Sequence, residues 1–183
     1  YNLKIVMPNT TAKLKREIMI NMGVDLHLVD PKPYSDPDNY QHISERLAKD
    51  IEKETGQKTL WAGQFENLAN YKFHEKTTAN EIFDQTNGKI DAFICSIGTG
   101  GTLAGMSQYL KEKKRKIIIG LADPLGSAMF NFFKNGKLKS QGSSITEGIG
   151  QGRITKNLEN ILIDDFFQIS DKDALNLVFR MIK

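Results

Sequence analysis

The clearest chemistry in the chain is carried by five consecutive small residues, Gly98, Thr99, Gly100, Gly101 and Thr102. They follow an apolar run, residues 90–97, that reads as a buried strand, and a helical pattern begins directly behind them. A strand that turns through glycines into a helix start suits an anion. The first-turn N–H groups have no partner inside the helix, and the aligned peptide dipoles place partial positive charge there. Glycines remove the Cβ atoms that would hold a phosphate away from the backbone. Thr99 and Thr102 add two hydroxyl donors. The same residues also fit a tight strand–helix turn that binds nothing.

The type of phosphate can be narrowed. A Walker A loop closes with Gly-Lys-Ser/Thr, the lysine reaching the outer phosphates; here the helix opens Thr102-Leu103-Ala104. Gly98, Gly100 and Gly105 approach the Gly-x-Gly-x-x-Gly dinucleotide pattern, but the last spacing is too long. A donor-rich cup without a lysine suits one terminal phosphate monoester.

Other reactive side chains read as structural. Cys95 lies in the apolar run and reads as a small buried hydrophobe. His74 reads as a helix-start residue, and His27 and His42 have no neighbours at metal-ligand spacing, so no metal is expected. Asp123 is either a cap or a rim residue, with the cap preferred.

Strands alternate with helical patterns along the whole chain. Strands are expected over residues 3–7, 24–29, 59–62, 90–97, 116–122 and 166–169. Helices are expected from Thr10 or Thr11 to Met22, with Leu14, Ile18 and Met22 on the inner face, and from an Asp38 cap to Glu54, with Ile43, Leu47 and Ile51 inward. Further helices are expected over 71–86 with Phe73, Ile82 and Phe83 inward, over 103–113, and over 127–134. A last helix is capped by Ser170, with Ala174, Val178 and Met181 inward. Residues 134–153 form a long glycine- and serine-rich loop, a length usually found at functional or mobile segments. The alternation implies an open, mostly parallel α/β sheet with helices on both faces. Ligands in such sheets bind beyond the carboxyl ends of the strands, where the glycine loop, Asp123 and Gln64 all fall.

Composition sets the outer limits. The 183 residues are 39% hydrophobic and 26% charged, ordinary for a globular domain, with a net charge of +3 from dispersed lysines. Residues 113–116 are the longest basic run and read as a solvated helix end; no basic face with stacking aromatics points to nucleic acid. One cysteine excludes an internal disulfide framework. No apolar run approaches the roughly 20 residues needed to span a bilayer, no signal peptide is visible, and a cytoplasmic location is expected. Tyr1 already reads as strand and Lys183 falls within a helical pattern, so the chain reads as an inner piece of a longer protein, truncated at both ends.

The glycine loop, Met7-Pro8-Asn9-Thr10, Gln64-Phe65-Glu66-Asn67-Leu68-Ala69-Asn70, His74-Glu75-Lys76-Thr77-Thr78, Asp123-Pro124 and Glu147-Gly148-Ile149-Gly150-Gln151-Gly152 stand in this order. Together they resemble the fold-type II, tryptophan synthase β-like enzymes that use pyridoxal 5'-phosphate, typified by cysteine synthase (O-acetylserine sulfhydrylase) and cystathionine β-synthase. The resemblance runs along nearly all of the chain. It implies a cofactor phosphate held by Gly98, Thr99, Gly100, Gly101 and Thr102. It places Gln64 beside the substrate carboxylate, against the alternative of a loop-bracing amide, and makes Gly148 a cofactor border that moves on closure. It implies that residues 1–30 end a smaller domain, with the remainder mostly in the larger, cofactor-anchoring one.

In the family the Schiff-base lysine and the carboxylate-binding Ser-Gly-Asn loop lie upstream of the position matching Tyr1, and the pyridine-nitrogen partner lies downstream of Lys183. No catalytic residue is therefore assigned within this chain, and the piece alone is expected to be inactive. The implied reaction of the complete enzyme is β-replacement in amino-acid biosynthesis: O-acetylserine plus sulfide gives cysteine, by a homodimer. Asp123-Pro124-Leu125-Gly126-Ser127 leans instead towards cystathionine β-synthase, with serine and homocysteine, and Gly150-Gln151-Gly152-Arg153 towards cysteine synthase. Leu68 in place of the family's proline, and Ala79-Asn80 in place of Gly-Pro, loosen any statement about the exact substrate. A reading of another class is a non-catalytic phosphate- or partner-binding module.

Overall fold

A computed structural model describes residues 2–182; the strand reading at Tyr1 and the helical reading at Lys183 lie outside the described residues. The chain divides into two compact units, Tyr1–Gly63 and Gln64–Lys183.

The first unit holds strands β1 (Lys4–Pro8) and β2 (Asp25–Val29), paired in parallel, with helix α1 (Lys13–Asn21) as their crossover. Lys4 and Asp25 are register partners and pair their charges. Helix α2 (Tyr40–Thr55) is capped by Asn39, whose Oδ1 accepts the Gln41 N–H at 3.0 Å. The expected cap, Asp38, instead pairs with Arg46. Gly56 ends the helix in the left-handed conformation, φ 68°. The strand expected over 59–62 is absent. Thr59 Oγ1 donates to the Ala48 carbonyl (2.7 Å) and Trp61 Nε1 to Ser44 Oγ (3.0 Å), so this segment runs along α2 and finds no strand to pair with.

The second unit holds a parallel sheet in the order β3-β4-β5, from β3 (Ala92–Cys95), β4 (Ile118–Pro124) and β5 (Asp165–Ile169). β4 is central and largely buried, as its β-branched run requires. β3 is shorter than its apolar run, and Ile94 on it is exposed. Helix α5 (Gly101–Lys113) is the crossover from β3 to β4, and Leu103, Met106 and Leu110 on it are fully buried with Ile97, Ile119, Leu121 and Met129. Burying each such side chain contributes about 2 kcal/mol. Ser107, also buried, donates to the Leu162 carbonyl at 2.8 Å and accepts the Leu162 N–H at 3.2 Å, fixing the approach to β5.

The single helix expected over 71–86 is two, α3 (Ala69–Lys76) and α4 (Thr78–Gln85). Thr77 Oγ1 donates back to the Phe73 carbonyl at 2.8 Å and its backbone turns to ψ −74°, so a threonine side chain competes with the helix ladder at the break. The bend leaves Phe73 exposed, against expectation, while Ile82 and Phe83 pack on the core. Helix α6 (Met129–Asn135) follows β4 and α7 (Asp171–Ile182) follows β5. Ser170 caps α7 as expected: its Oγ accepts the Asp173 N–H (3.2 Å) and donates to Asp173 Oδ2 (2.6 Å). Val178 and Met181, expected inward, are exposed, and so are Leu14, Ile18 and Met22 of the first-unit stripe.

Candidate functional site

β3 delivers the chain through the buried Ile97 to the glycine loop at its carboxyl end. Gly100 takes φ +88° as N-cap of α5, a conformation that favours glycine. Among the described residues no acceptor faces the N–H groups of Gly98, Thr99, Gly100, Thr102 or Leu103, and the Gly101 N–H has only a 3.3 Å contact with Thr99 Oγ1. Two neighbouring carbonyls, by contrast, are occupied. Ile97 O accepts the Gly150 N–H at 2.8 Å, and Thr99 O accepts Thr155 Oγ1 at 2.8 Å. A row of open donors at the start of a helix whose next turns are buried is an anion cup. The residues present fit a phosphate monoester.

The glycines prove to serve packing as well as anion approach. A Cβ on Gly98 would meet the Gly148 carbonyl at 2.5 Å, one on Gly100 would meet Leu158 Cδ2 at 2.5 Å, and one on Gly101 would collide with the Asn70 amide. Thr99 Oγ1 accepts from Asn70 Nδ2 (2.9 Å), leaving its proton to give. Thr102 Oγ1 lies 3.3 Å from His74 Nε2, and His74 Nδ1 lies 3.0 Å from Thr78 Oγ1. His74 thus sits in the last turn of α3, not at a helix start, and links α3, α4 and α5.

Gln64 does not follow a strand, but its main chain is tied to the cup. Its carbonyl accepts from Asn70 Nδ2 (2.8 Å) and Asn157 Nδ2 (3.1 Å), while its side chain stands exposed. The Glu66–Arg153 ion pair, 2.7 Å, and the Arg153 guanidinium 5.3 Å from the Phe65 ring centroid brace the same turn against the 151–158 segment. Gly148, φ +88°, lies with its carbonyl over Gly98. The approach to Gly148 is held by Asp171, whose carboxylate accepts Ser144 Oγ (2.5 Å) and the Ile145 N–H (3.0 Å). The structure therefore brings Gln64, Gly98–Thr102 and Gly148 into one neighbourhood. A cavity of about 200 Å³ opens at the strand ends, between Ser96, Pro124, Thr146, Ile149, Ser170 and Ala174, and none of Gln64, Gly98–Thr102 or Gly148 lines it.

Asp123 is fully buried and is a cap. Oδ2 accepts the Phe130 N–H at 2.8 Å, and Oδ1 has no partner among the described residues. Burial pushes its carboxyl above the ordinary aspartate value, against the opposing pull of the Phe130 hydrogen bond. Burial likewise pushes the half-buried Cys95 thiol up, against the opposing contact with the Ser96 carbonyl. Sequence reasoning missed Thr155 and Asn157. Both are buried polar side chains in a stretch without periodicity, and only their bonds across about sixty residues of chain to Thr99 reveal them.

The fold and the cup define a class. The family model for pyridoxal-phosphate dependent enzymes matches residues 1–183, and the chain belongs to that family. Cysteine synthase 1 of Neurospora crassa is 41% identical over all of this chain and 48% of its own length. The cysteine synthase of Buchnera aphidicola from Acyrthosiphon pisum is 35% identical over all of this chain and 57% of its own length. A hydrogen sulfide-producing enzyme of Fusobacterium nucleatum superposes with a TM-score of 0.75 at 30% identity, over 99% of this chain and 57% of that one. The O-ureido-L-serine synthase fold superposes at 0.80 with 24% identity, over 99% and 53%. The chain thus spans about half the length of the curated relatives it matches. No helix among the described residues is long and apolar enough to cross a membrane.

Proposed function

We propose that the complete protein containing this chain is a cysteine synthase: it replaces the acetoxy group of O-acetylserine with sulfide. The observation that carries this reading is the set of open amides at Gly98, Thr99, Gly100, Thr102 and Leu103, braced against the Gln64 and Gly148 segments. The curated names of the relatives support it. Gly98, Thr99, Gly100, Gly101 and Thr102 hold the cofactor phosphate through backbone N–H groups and the Thr99 hydroxyl. Gln64 offers an uncharged amide to the substrate carboxylate, and Gly148 borders the cofactor. Bound pyridoxal phosphate supplies an electron sink for a carbanion next to the amino group. The chain's own residues bind and orient it, and none of them is assigned its covalent attachment.

In the same reading residues 1–30 close the smaller domain, the enzyme is a cytoplasmic homodimer, and the 183-residue piece alone is inactive. Limited proteolysis, sedimentation and cell fractionation of the full-length protein test the first two statements. Turnover of O-acetylserine by the piece alone would sink the third.

The deciding experiment uses the full-length protein. Visible absorbance from bound cofactor is expected, with cysteine formed from O-acetylserine and sulfide. Gly100→Val is expected to lose most of that absorbance, because its left-handed φ and the Leu158 contact leave no room for a side chain without deforming the loop. Unchanged occupancy in that variant would remove Gly100 from the site. Turnover of serine with homocysteine in place of O-acetylserine with sulfide would replace the proposed substrates.

A further inference from the structure

Two of the cup's amides, at Gly98 and Gly100, belong to peptide planes held from outside the glycine loop. A trans peptide is planar, so its N–H points opposite to its carbonyl. The Ile97 carbonyl accepts the Gly150 N–H at 2.8 Å, which turns the Gly98 N–H the other way. The Thr99 carbonyl accepts Thr155 Oγ1 at 2.8 Å, which turns the Gly100 N–H the other way. Asn157 Nδ2 adds a longer contact, 3.4 Å, to the same Thr99 carbonyl, while its shorter bonds, 3.1 Å each, go to the Gln64 and Phe65 carbonyls. Gly100 is the residue most in need of such a hold, since glycine's open conformational space lets its flanking peptide flip at little cost.

Thr155 is 1% exposed. A hydroxyl buried that deeply is costly unless it is bonded, and its one proton goes to Thr99 O. Valine would fill the same volume without that cost, so the hydroxyl is there for the bond. The segment carrying it, from Thr155 to the 3-10 turn Lys156–Leu158, also supplies the Leu158 methyls packed under Gly100.

We propose that Thr155 is a positioning residue for the anion cup, with Asn157 as its second support: by holding the Thr99 carbonyl it aims the Gly100 N–H at the cofactor phosphate. Asn157, bonding both the Gln64–Phe65 turn and Thr99, sets the spacing between the substrate-carboxylate segment and the phosphate loop. This rests on the reading of the loop as the pyridoxal phosphate anchor.

The test compares Thr155→Val, which keeps the shape and removes the donor, with Thr155→Ser, which keeps the donor. Full-length apoenzyme is titrated with pyridoxal phosphate, following absorbance for Kd and the phosphorus resonance of the bound phosphate, with Tm recorded alongside. Thr155→Val is expected to raise Kd about tenfold, the equivalent of one lost hydrogen bond to a buried carbonyl, and to shift the phosphorus resonance. Thr155→Ser is expected to stay near wild type in both. If Thr155→Val does not fold, Thr155→Ala carries the same comparison against serine. Equal Kd and resonance in the donor-less and serine variants, whatever happens to Tm, would overturn the inference and leave Thr155 a packing residue. A wild-type protein that binds no pyridoxal phosphate would overturn the anchor reading itself, and this inference with it.

Discussion

Helices α1 and α5 both carry apolar residues at helical spacing, and they end in opposite surroundings. On α5, Leu103, Met106 and Leu110 are wholly buried; on α1 no residue is buried, and Leu14 is 68% and Ile18 50% exposed. Periodicity alone does not separate them, because it identifies the face that favours burial and says nothing of what covers it. What separates them is neighbours. α5 lies between the β3-β4-β5 sheet and α3, and α3 comes close enough to exclude any side chain at Gly105. α1 has only β2 as a substantial neighbour within its unit. A closely packed helix pair therefore lies directly behind the cup. A loop with several unpaired donors is thus backed by a helix whose inner residues are fully buried.

The sharpest way to break this contrast is Gly105→Ala. A Cβ there would lie 2.5 Å from the Tyr71 carbonyl and 2.6 Å from the Glu75 nitrogen, both backbone atoms that cannot rotate aside. α3 would have to withdraw from α5, taking Asn70 off Thr99 and His74 off Thr102. The expected loss is about 3 kcal/mol of unfolding free energy, read from denaturant titration of the full-length protein, with weaker cofactor retention alongside. A loss below about 0.5 kcal/mol, typical of an open surface site, would mean that the two helices are not held as closely as described.

Much of the second unit was legible before its structure. The strand–glycine–helix sequence around Gly98–Thr102, the central β4 and the Ser170 cap are local patterns, and local patterns survive folding. The failures share a cause. Residues 59–62 have strand composition but lie against α2, because a strand needs a partner that composition cannot supply. The break at Thr77 comes from one hydroxyl turned back on the helix. Phe73, Val178 and Met181 have the right period and no cover. At the site, Gln64 and Gly148 were reached through a family resemblance, whereas Thr155 and Asn157 were invisible: their partners lie far away in the chain and their neighbours have no period.

Two aspartates carry the contrast into pH dependence. Asp25, exposed on β2, has its carboxyl lowered chiefly by the hydrogen bond from Lys4; its contribution is present above the ordinary aspartate range and is lost as pH falls through its lowered value. Asp123, buried at the end of β4, is raised by desolvation, so the native state binds more protons than the unfolded chain just above the ordinary range, and stability falls as pH rises through that window. Asp123→Asn keeps an oxygen to accept the Phe130 N–H and removes the charge. Its stability relative to wild type is expected to be greater at pH 7 than at pH 4, by chemical denaturation at both. Parallel curves for the two proteins would show that Asp123 does not ionise against a burial cost.

The smallest expected effect lies on the other side of the comparison. Ile18 points from α1 with half its surface open. Truncating it removes little buried area, and alanine is the better helix former, so Ile18→Ala is expected to change unfolding free energy by less than about 0.5 kcal/mol. A buried isoleucine would cost about 2–5 kcal/mol in the same substitution, a gap wide enough for one denaturant titration of the full-length protein to resolve. A loss in that upper range would show that the Leu14–Ile18 face is covered in the complete protein. The difference between α1 and α5 would then lie in which partners this chain itself carries and not in the helices, and the apolar spacing on α1 would have been as faithful a guide as that on α5.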